Sequence, residues 1–208
     1  DGVLGLEMLP KSILLVGGGV IGIEFASIFS ALGVEVTVVE MLPEILPNLD
    51  VELVGYLRQI LEARGIRFLT SATVKSVRAL GSGYATAVTA GVEEEIVTEK
   101  VFVCTGRRPF TRGLGLEEIG VRTDRGRIAV DERMRTSVPG IHAIGDCASP
   151  IMLAHVASAE GEVAAEAIMG LRAAMDYRVV PSAVYTAPEF AGVGRTEEEL
   201  TRSGRDFT

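Results

Sequence analysis

The pattern of apolar and polar residues over the first 40 positions predicts a strand, a helix and a second strand. Ile13 to Val16 is a short, fully apolar run of the kind found in buried strands. Glycines follow it at once, and then comes an apolar-rich segment long enough for a helix. Valines dominate residues 34–39, and this second predicted strand closes on Glu40. The order is that of a βαβ unit, the building block of parallel sheets.

The next elements follow from helical and alternating periods. Asp50 is a good N-cap for a helix through Arg64, which Gly65 would end. We expect the apolar side chains on one face of this helix to enter the core, namely Leu53, Leu57, Ile60 and Leu61. The β-branched or alternating runs 66–69, 74–80, 84–89 and 94–97 predict a meander, and 101–104 a further buried strand. The fold class is therefore α/β, a Rossmann-type parallel sheet with an inserted antiparallel meander.

The pattern changes after about Arg112. The predicted elements there are a short helix or turn at 114–120, strands at 127–130, 141–144 and 181–186, and an acidic helix start at Thr196. An alanine-rich helix at 154–169 would carry its carboxylates outward, at Glu160, Glu162 and Glu166. His142 is best explained as strand packing.

Composition narrows the class of protein. A chain of 208 residues with 48% hydrophobic and 23% charged residues can bury a real core. The net charge of −8 and the scattered basic residues argue against nucleic acid or an anionic membrane as a partner. No stretch predicts a transmembrane helix or a signal peptide. Cys104 and Cys147 lie far apart, so we expect two core thiols in a reducing compartment and no metal site.

The glycines after the first strand predict a dinucleotide site. Gly17, Gly19 and Gly22 have GxGxxG spacing where a strand turns into a helix. Gly17 would allow the tight turn, Gly19 the close approach of a pyrophosphate, and Gly22 the packing of helix on sheet. The free amides and the helix dipole supply an anion site without any lysine. Alone, such a turn can be purely structural.

Glu40 makes the glycine signal more specific. It lies at close to the offset of roughly 20 residues expected for a carboxylate that binds a ribose 2′-hydroxyl. A carboxylate repels a 2′-phosphate, and no arginine or lysine occurs between Glu40 and Arg58 to receive one. The sequence therefore favours NAD over NADP.

Two further strand ends carry candidate ligand groups. Thr105 to Pro109 is a second glycine turn after a strand, which could equally be a plain loop. Asp146 follows Gly145 directly after the predicted strand 141–144, where its carboxylate could accept from a ribose or ribityl hydroxyl. A helix cap would explain Asp146 as well.

These motifs together resemble one family along nearly the whole chain, the dihydrolipoamide dehydrogenases of the flavin disulfide reductases. The resemblance rests on the glycine turn with Glu24 and Glu40, and on four later runs: 105–111, 136–146, 152–155 with Glu160 and Gly161, and 181–189. Ser158 and Thr105 depart from the family's usual acidic and apolar residues. The Met-Leu-Ala-His run at 152–155 favours this member over glutathione or mercuric reductases.

The resemblance implies a role for each matching residue. The NAD pyrophosphate would lie on the turn formed by Gly17, Gly18, Gly19, Val20, Ile21, Gly22 and Ile23, with Glu40 at the adenosine ribose and Glu24 near the nicotinamide. Val74 and Gly106 would line the rest of that site. Asp146 would bind the FAD ribityl chain, and the flavin ring edge would meet the backbone of Met152, Leu153, Ala154 and His155. His155 itself would be structural.

The resemblance also implies domains and missing parts. Residues 1–112 would be the NAD-binding domain, 113–178 the C-terminal part of an FAD-binding domain, and 179–208 the start of a dimerisation domain. The family's CxxxxC disulfide, first flavin-binding glycine motif and catalytic His-Glu pair do not occur in this sequence. We therefore expect a fragment of a larger enzyme, with no catalytic residue of its own.

Two hypotheses follow. In the first, the parent is an enzyme, a homodimer that oxidises dihydrolipoamide on a lipoyl domain through a disulfide and FAD, with NAD as acceptor. In the second, the chain alone is a non-catalytic NAD(H)-binding module, or its parent is another flavin disulfide reductase. The expected compartment is a bacterial cytoplasm, with the mitochondrial matrix as the alternative.

Overall fold

The computed structural model describes residues 2–207 and divides the chain into two compact units. One takes in the residues up to Gly106 together with those from Pro181 onward, and the other is Arg107–Val180. The assignment of 1–112, 113–178 and 179–208 to NAD-binding, FAD-binding and dimerisation domains stays a prediction.

The first unit is built on a four-stranded parallel sheet. Its strands are β1 (Ser12–Val16), β2 (Glu35–Val39), β3 (Arg67–Leu69) and β7 (Lys100–Val103), in the spatial order β3-β2-β1-β7. Two helices connect the first three strands, α1 (Val20–Ala31) and α2 (Val51–Ala63). The predicted βαβ unit and α/β class are confirmed.

The predicted meander is confirmed for three of its four strands, whereas the run 66–69 pairs in parallel with β2 as β3. Strands β4 (Thr73–Leu80), β5 (Gly83–Ala90) and β6 (Val92–Thr98) form a separate antiparallel sheet between β3 and β7 in the chain. Gly81 turns the first hairpin in the left-handed region, with φ of 59°.

Both faces of the parallel sheet are covered, which explains the unbroken apolar run of β1. Ile13 and Leu15 pack into a core with side chains from α1 and α2. Leu14 points to the opposite face, where it packs with Val88 of the antiparallel sheet. A strand buried on both sides needs apolar residues at every position rather than at alternate ones.

Helix α2 has the predicted cap, but its buried face differs from the predicted one. Asp50 does cap it, with its Oδ1 accepting from the amide of Leu53, and Gly65 follows its end with φ of 89°. The buried residues, however, are Val54, Leu57 and Leu61, whereas Leu53 and Ile60 are exposed. The core-facing stripe is thus rotated by about one residue, a shift within the width of apolar face that such a pattern allows.

The second unit contains little regular structure besides α3 (Ala154–Ile168). A two-residue hairpin, β8 (Thr123–Asp124) with β9 (Arg127–Ile128), precedes it, and Gly145–Cys147 forms one 3-10 turn. The predicted helix or turn at 114–120 is a series of turns. The strand predicted at 141–144 is not one, since its backbone makes only an isolated bridge between His142 and Arg135. An apolar run without a neighbouring strand has no ladder in which to pair.

The segment from Pro181 onward completes the first unit. Strands β10 (Pro181–Val184) and β11 (Phe190–Val193) form a hairpin that contributes Val184 and Phe190 to the core beside α1. Helix α4 (Glu197–Arg202) begins with a capping box, in which Thr196 and Glu199 bond each other's backbone amides.

Candidate functional site

The carboxyl ends of three parallel strands place the predicted dinucleotide residues at one edge of the sheet. The glycine turn follows β1, Glu40 follows β2, and Gly106 follows β7 after two residues. A Cβ added to Gly17 would lie 2.7 Å from the carbonyl oxygen of Cys104, so the ends of β1 and β7 are in contact. In open parallel sheets this is the edge that receives ligands.

Each of the three glycines in the motif has a distinct geometry. Gly17 has φ of 118°, a conformation that L side chains rarely adopt. A Cβ on Gly22 would lie 2.0 Å from the carbonyl oxygen of Gly17, so α1 touches the turn there. Around a Cβ on Gly19 there is nothing within 4 Å. At Gly17 and Gly22 the protein's own backbone leaves no room for a side chain. At Gly19 the space is free, and this is where a phosphate was predicted.

Helix α1 begins at the turn with uncapped amides. Its N-cap, Gly19, has an extended backbone and no side-chain hydrogen bond. The first-turn amides of a helix have no partner within the helix, so they suit an anion. Val20 is exposed there and Ile21 half-buried, whereas Ile23 lies in the core and donates its amide to the Gly19 carbonyl. The residues fit a pyrophosphate on the Gly19 side.

Glu40 is buried at the end of β2, and its carboxylate is held by backbone donors. Its Oε2 accepts from the amide of Gly18 at 2.6 Å, and its Oε1 from the amide of Leu42 at 2.8 Å. A carboxylate can accept about four hydrogen bonds. Two acceptor positions therefore remain for a ribose diol. The negative charge of this carboxylate would repel a 2′-phosphate at the same place.

The structure gives Glu24 a partner that the sequence did not suggest. On α1, its Oε1 accepts from the backbone amide of Tyr185 at 2.9 Å. Tyr185 follows β10, which is more than 150 positions later in the chain. Only the tertiary fold could bring the two together, so no local signal could have revealed the contact.

The remaining predicted residues of this unit lie around the same edge. Val74 is the second residue of β4 and is half-buried against the cluster of Leu14 and Val39. Gly106 is exposed and has φ of 116°, which only glycine adopts readily. Cys104 next to it donates its thiol to the carbonyl of Val16, and burial together with the charge of Glu40 raises the pKa of this thiol to about 11. It is therefore a neutral, structural thiol, as predicted.

In the second unit, Asp146 lies in the 3-10 turn, where its carboxylate is exposed. Arg107 approaches its Oδ2 at 3.4 Å. Met152 and Leu153 are half-buried, while Ala154 and His155 are exposed at the start of α3, where no side chain caps the helix. Cys147 in the same turn donates to the carbonyl of Ile144.

The expectation that Glu160 lies on the surface of its helix was wrong. Its carboxylate is completely buried, accepting from the Gly145 amide at 2.7 Å and from the Tyr177 hydroxyl at 2.6 Å. Glu162 and Glu166 are exposed as predicted. The helix thus has its buried stripe at Val156, Glu160 and Ala164, a spacing of four residues that the alanine-rich sequence did not reveal.

Neither a metal site nor a membrane span was found. Among residues 2–207, no cluster of three or more histidine, cysteine or acidic side chains is arranged to hold a metal ion. Within the same residues, no helix is long and apolar enough to cross a bilayer.

Known proteins are similar to this chain in both sequence and fold. The sequence profile of the pyridine nucleotide-disulphide oxidoreductase family matches residues 1–161. The chain is 48% identical over 202 residues to a dihydrolipoyl dehydrogenase of Thermus scotoductus, covering 95% of this chain and 44% of that protein. It is 42% identical over 210 residues to the mitochondrial dihydrolipoyl dehydrogenase of Pisum sativum, covering 99% of this chain and 42% of that protein.

Among solved structures, the chain is similar to the HOCl-induced flavoprotein disulfide reductase RclA of Escherichia coli. The TM-score is 0.90 at 28% identity, and the match covers 99% of this chain and 47% of that one. The chain thus spans less than half the length of the relatives it matches.

Proposed function

Because the chain belongs to the pyridine nucleotide-disulphide oxidoreductase family, we propose that its first unit binds NAD(H) at the carboxyl edge of the parallel sheet. The observation that carries this proposal is the buried carboxylate of Glu40, held by the amide of Gly18 in the glycine turn. An acid fixed beside an open, uncapped helix N-terminus suits a ribose diol next to a pyrophosphate, and it disfavours NADP.

The proposed roles follow the geometry. The turn from Gly17 to Ile23 would hold the pyrophosphate at its open Gly19 side. Glu40 would accept from the adenosine ribose, and Glu24 would lie near the nicotinamide. Val74 and Gly106 would line the rest of the site.

We further propose that the second unit contributes to an FAD site. Asp146 would accept from the ribityl chain, and the backbone from Met152 to His155 would meet the edge of the flavin ring. The exposed carboxylate of Asp146 and the uncapped start of α3 have the donor and acceptor types that such contacts need. A bound flavin would take two electrons from a dithiol and pass them on as hydride to NAD⁺.

For the whole protein, the proposed activity is that of an NAD-dependent dihydrolipoamide dehydrogenase acting on a lipoyl domain as a homodimer. Both curated relatives described above are named dihydrolipoyl dehydrogenases, which supports this substrate. The similarity to RclA favours a second candidate, another flavin disulfide reductase. The proposed compartment is a bacterial cytoplasm, with the mitochondrial matrix as the alternative suggested by the pea relative.

The 208-residue chain on its own is proposed to bind NAD(H), to retain no flavin, since it would supply only part of the FAD site, and to catalyse no reaction. Its two cysteines do not form a CxxxxC pair, and both are free thiols. A purified chain that shows a flavin absorbance band, or that reduces lipoamide with NADH, would contradict this.

The test of the NAD site is calorimetric titration with NADH and NADPH. Wild type should bind NADH at micromolar concentration and NADPH far more weakly. Glu40→Arg, which removes the charge repulsion, should reverse the preference, but it also deletes two buried hydrogen bonds. Glu40→Gln keeps an acceptor oxygen and the size of the side chain, so it should bind NADH more weakly and discriminate less. Equal affinity of wild type for both nucleotides would contradict the proposal.

A further inference from the structure

The loop between β2 and α2, residues 41–50, contacts the glycine turn directly. The amide of Leu46 donates to the carbonyl oxygen of Gly18 at 2.9 Å. The amide of Gly18 donates in turn to Glu40. Both polar backbone groups of Gly18 are therefore used by the segment that follows β2.

This contact fixes the direction of the next amide. The carbonyl of Gly18 and the N–H of Gly19 belong to one planar peptide unit, and in a trans unit they point to opposite sides. The only cis bond among residues 2–207 is Ala187-Pro188. A Gly18 carbonyl that points at Leu46 therefore turns the Gly19 N–H away from the loop. No group in the described part of the chain accepts from this N–H.

Leu46 is held in an unusual conformation at this point. Its φ of 48° lies in the left-handed region, where a leucine is rare. Its side chain is buried in the core together with that of Ile45, which is 0% exposed. A strained residue persists only where its surroundings over-determine it.

An ion pair to α2 supplies part of that restraint. The carboxylate of Glu44 accepts from the amide of Ile45 at 2.8 Å and from Arg58 at 2.9 Å. The guanidinium of Arg58 also lies 5.7 Å from the ring centre of Phe68 in β3 and pairs with Glu62 at 2.9 Å. Arg58 is thus held by Phe68 and Glu62 as well as by Glu44 of the loop.

We propose that Glu44 and Arg58 are positioning residues for the pyrophosphate, acting through Ile45 and Leu46 on the Gly18 peptide. They hold the loop so that Leu46 keeps the Gly19 N–H directed toward the ligand. The inference rests on the proposed NAD(H) site and adds to it a restraint that contacts no part of the dinucleotide.

A matched pair of variants tests it. Glu44→Ala and Glu62→Ala each remove a carboxylate that lies 2.9 Å from Arg58, but only Glu44 belongs to the loop and accepts from its backbone. Glu44→Ala should weaken NADH binding by about three- to tenfold, the effect of one lost hydrogen bond, and should move the ³¹P resonances of bound NADH. Glu62→Ala should change neither. The two carboxylates are 37% and 45% exposed, and ion pairs with such groups contribute little to stability, so the urea midpoints of both variants should stay near wild type.

The free chain gives an independent readout. Glu44→Ala should speed amide hydrogen exchange at Leu46 and shift the ¹⁵N resonance of Gly19 without any ligand, whereas Glu62→Ala should not. Unchanged exchange at Leu46, or equal losses of NADH affinity in the two variants, would overturn the inference. If wild type binds no NADH, the proposed function is overturned. If Glu44→Ala then still alters the exchange at Leu46 and the resonance of Gly19, the positioning of Gly19 is nevertheless supported.

Discussion

Two buried carboxylates show what a single residue does in this molecule. Glu40 and Glu160 each accept a hydrogen bond from the backbone amide of a glycine, Gly18 and Gly145 respectively. Burying a carboxylate is costly unless hydrogen bonds compensate. In both cases the acid therefore fixes a glycine turn beside a residue for which we propose a role in cofactor binding.

Only one of these carboxylates could be predicted from the sequence. Glu40 is defined by its distance from the glycine motif, which is a local signal. Glu160 has donors 15 and 17 residues away, on a turn and on a segment after the helix. Its partners exist only in the folded unit, and by helical pattern alone a glutamate among alanines belongs on the surface.

Truncation of Glu160 should destabilise the second unit. Glu160→Ala removes a fully buried acceptor and leaves the half-buried Gly145 amide and Tyr177 hydroxyl without it, so we expect a loss of about 2–4 kcal/mol in the free energy of unfolding. Urea denaturation followed by circular dichroism measures it. Glu162→Ala, on the exposed side of the same helix, is the control and should stay within about 0.5 kcal/mol of wild type. Similar midpoints for the two variants would contradict the buried role.

Tyr177 should ionise unusually late. Burial and its hydrogen bond to Glu160 raise its pKa from 10.0 to about 12. The folded state therefore favours the protonated form, and this stabilisation is complete below pH 10 and is lost as the pH rises toward 12. A spectrophotometric titration of wild type and Tyr177→Phe should differ by one phenol with a midpoint near pH 12. A difference centred at pH 10 would contradict both the burial of Tyr177 and its hydrogen bond to Glu160.

Cys104 should be a poorly reactive thiol. A pKa raised from 9.0 to about 11 leaves about 100-fold less thiolate at pH 8, and thiolate is the reacting species. In a Cys147→Ser variant, we expect alkylation by iodoacetamide to be slower than in the same protein unfolded in urea by at least that factor. Equal rates in the two states would refute the burial of this side chain.

Among the elements, those with a strong local period were predicted, and those that depend on distant partners were not. The β1-α1-β2 unit, the meander and helices α2, α3 and α4 match the sequence pattern within a few residues. The predicted strand at 141–144 failed because strand formation requires a neighbour, and there only His142 forms a bridge. The hydrogen bond from Leu46, in the loop at 41–50, to Gly18 could not be predicted either, because a contact between backbone groups has no side-chain signature in the sequence.

At the glycine turn, two substitutions should separate folding from binding. Gly22→Ala forces a Cβ against the Gly17 carbonyl, which would be only 2.0 Å away, so we expect a loss of several kcal/mol in stability, on the order of 3. Gly19→Ala meets nothing within 4 Å at an ordinary φ of −76°. It should fold like wild type and yet lose NADH affinity by about tenfold or more, since its methyl group occupies the approach of the phosphate. Thermal unfolding and calorimetry on both variants distinguish the effects. Full NADH affinity in Gly19→Ala would contradict the pyrophosphate position.

At the scale of the whole molecule, the chain matches less than half of its relatives' length and exposes many large apolar side chains. Examples in the second unit are Phe110, Ile144 and Ile168. Scattered apolar residues are normal on a surface, but incompletely paired segments such as 141–144 leave edges open.

We expect the chain on its own to associate or to bind a hydrophobic dye. Light scattering should show species larger than the 22.1 kDa monomer, or 1-anilinonaphthalene-8-sulfonate should fluoresce in its presence. The control is the same measurement at low protein concentration, where association should decline while dye binding persists. A monodisperse monomer that binds no dye would refute the prediction.

The pairing of β1 with β7 has a consequence for synthesis on the ribosome. Ile13 pairs with Lys100, so β1 and β7 are neighbours in the sheet although they are far apart in the chain. The whole antiparallel sheet is synthesised between them. The meander joins strands that are consecutive and can form as soon as they leave the exit tunnel, whereas the β1–β7 ladder must wait for β7. Until then β1 has one unpaired edge, and Gly17 lacks the Cys104 carbonyl against which it packs. A nascent chain stalled before Lys100 should therefore lack a formed nucleotide site. With one edge of β1 unpaired, it should also bind chaperones more than the completed chain does.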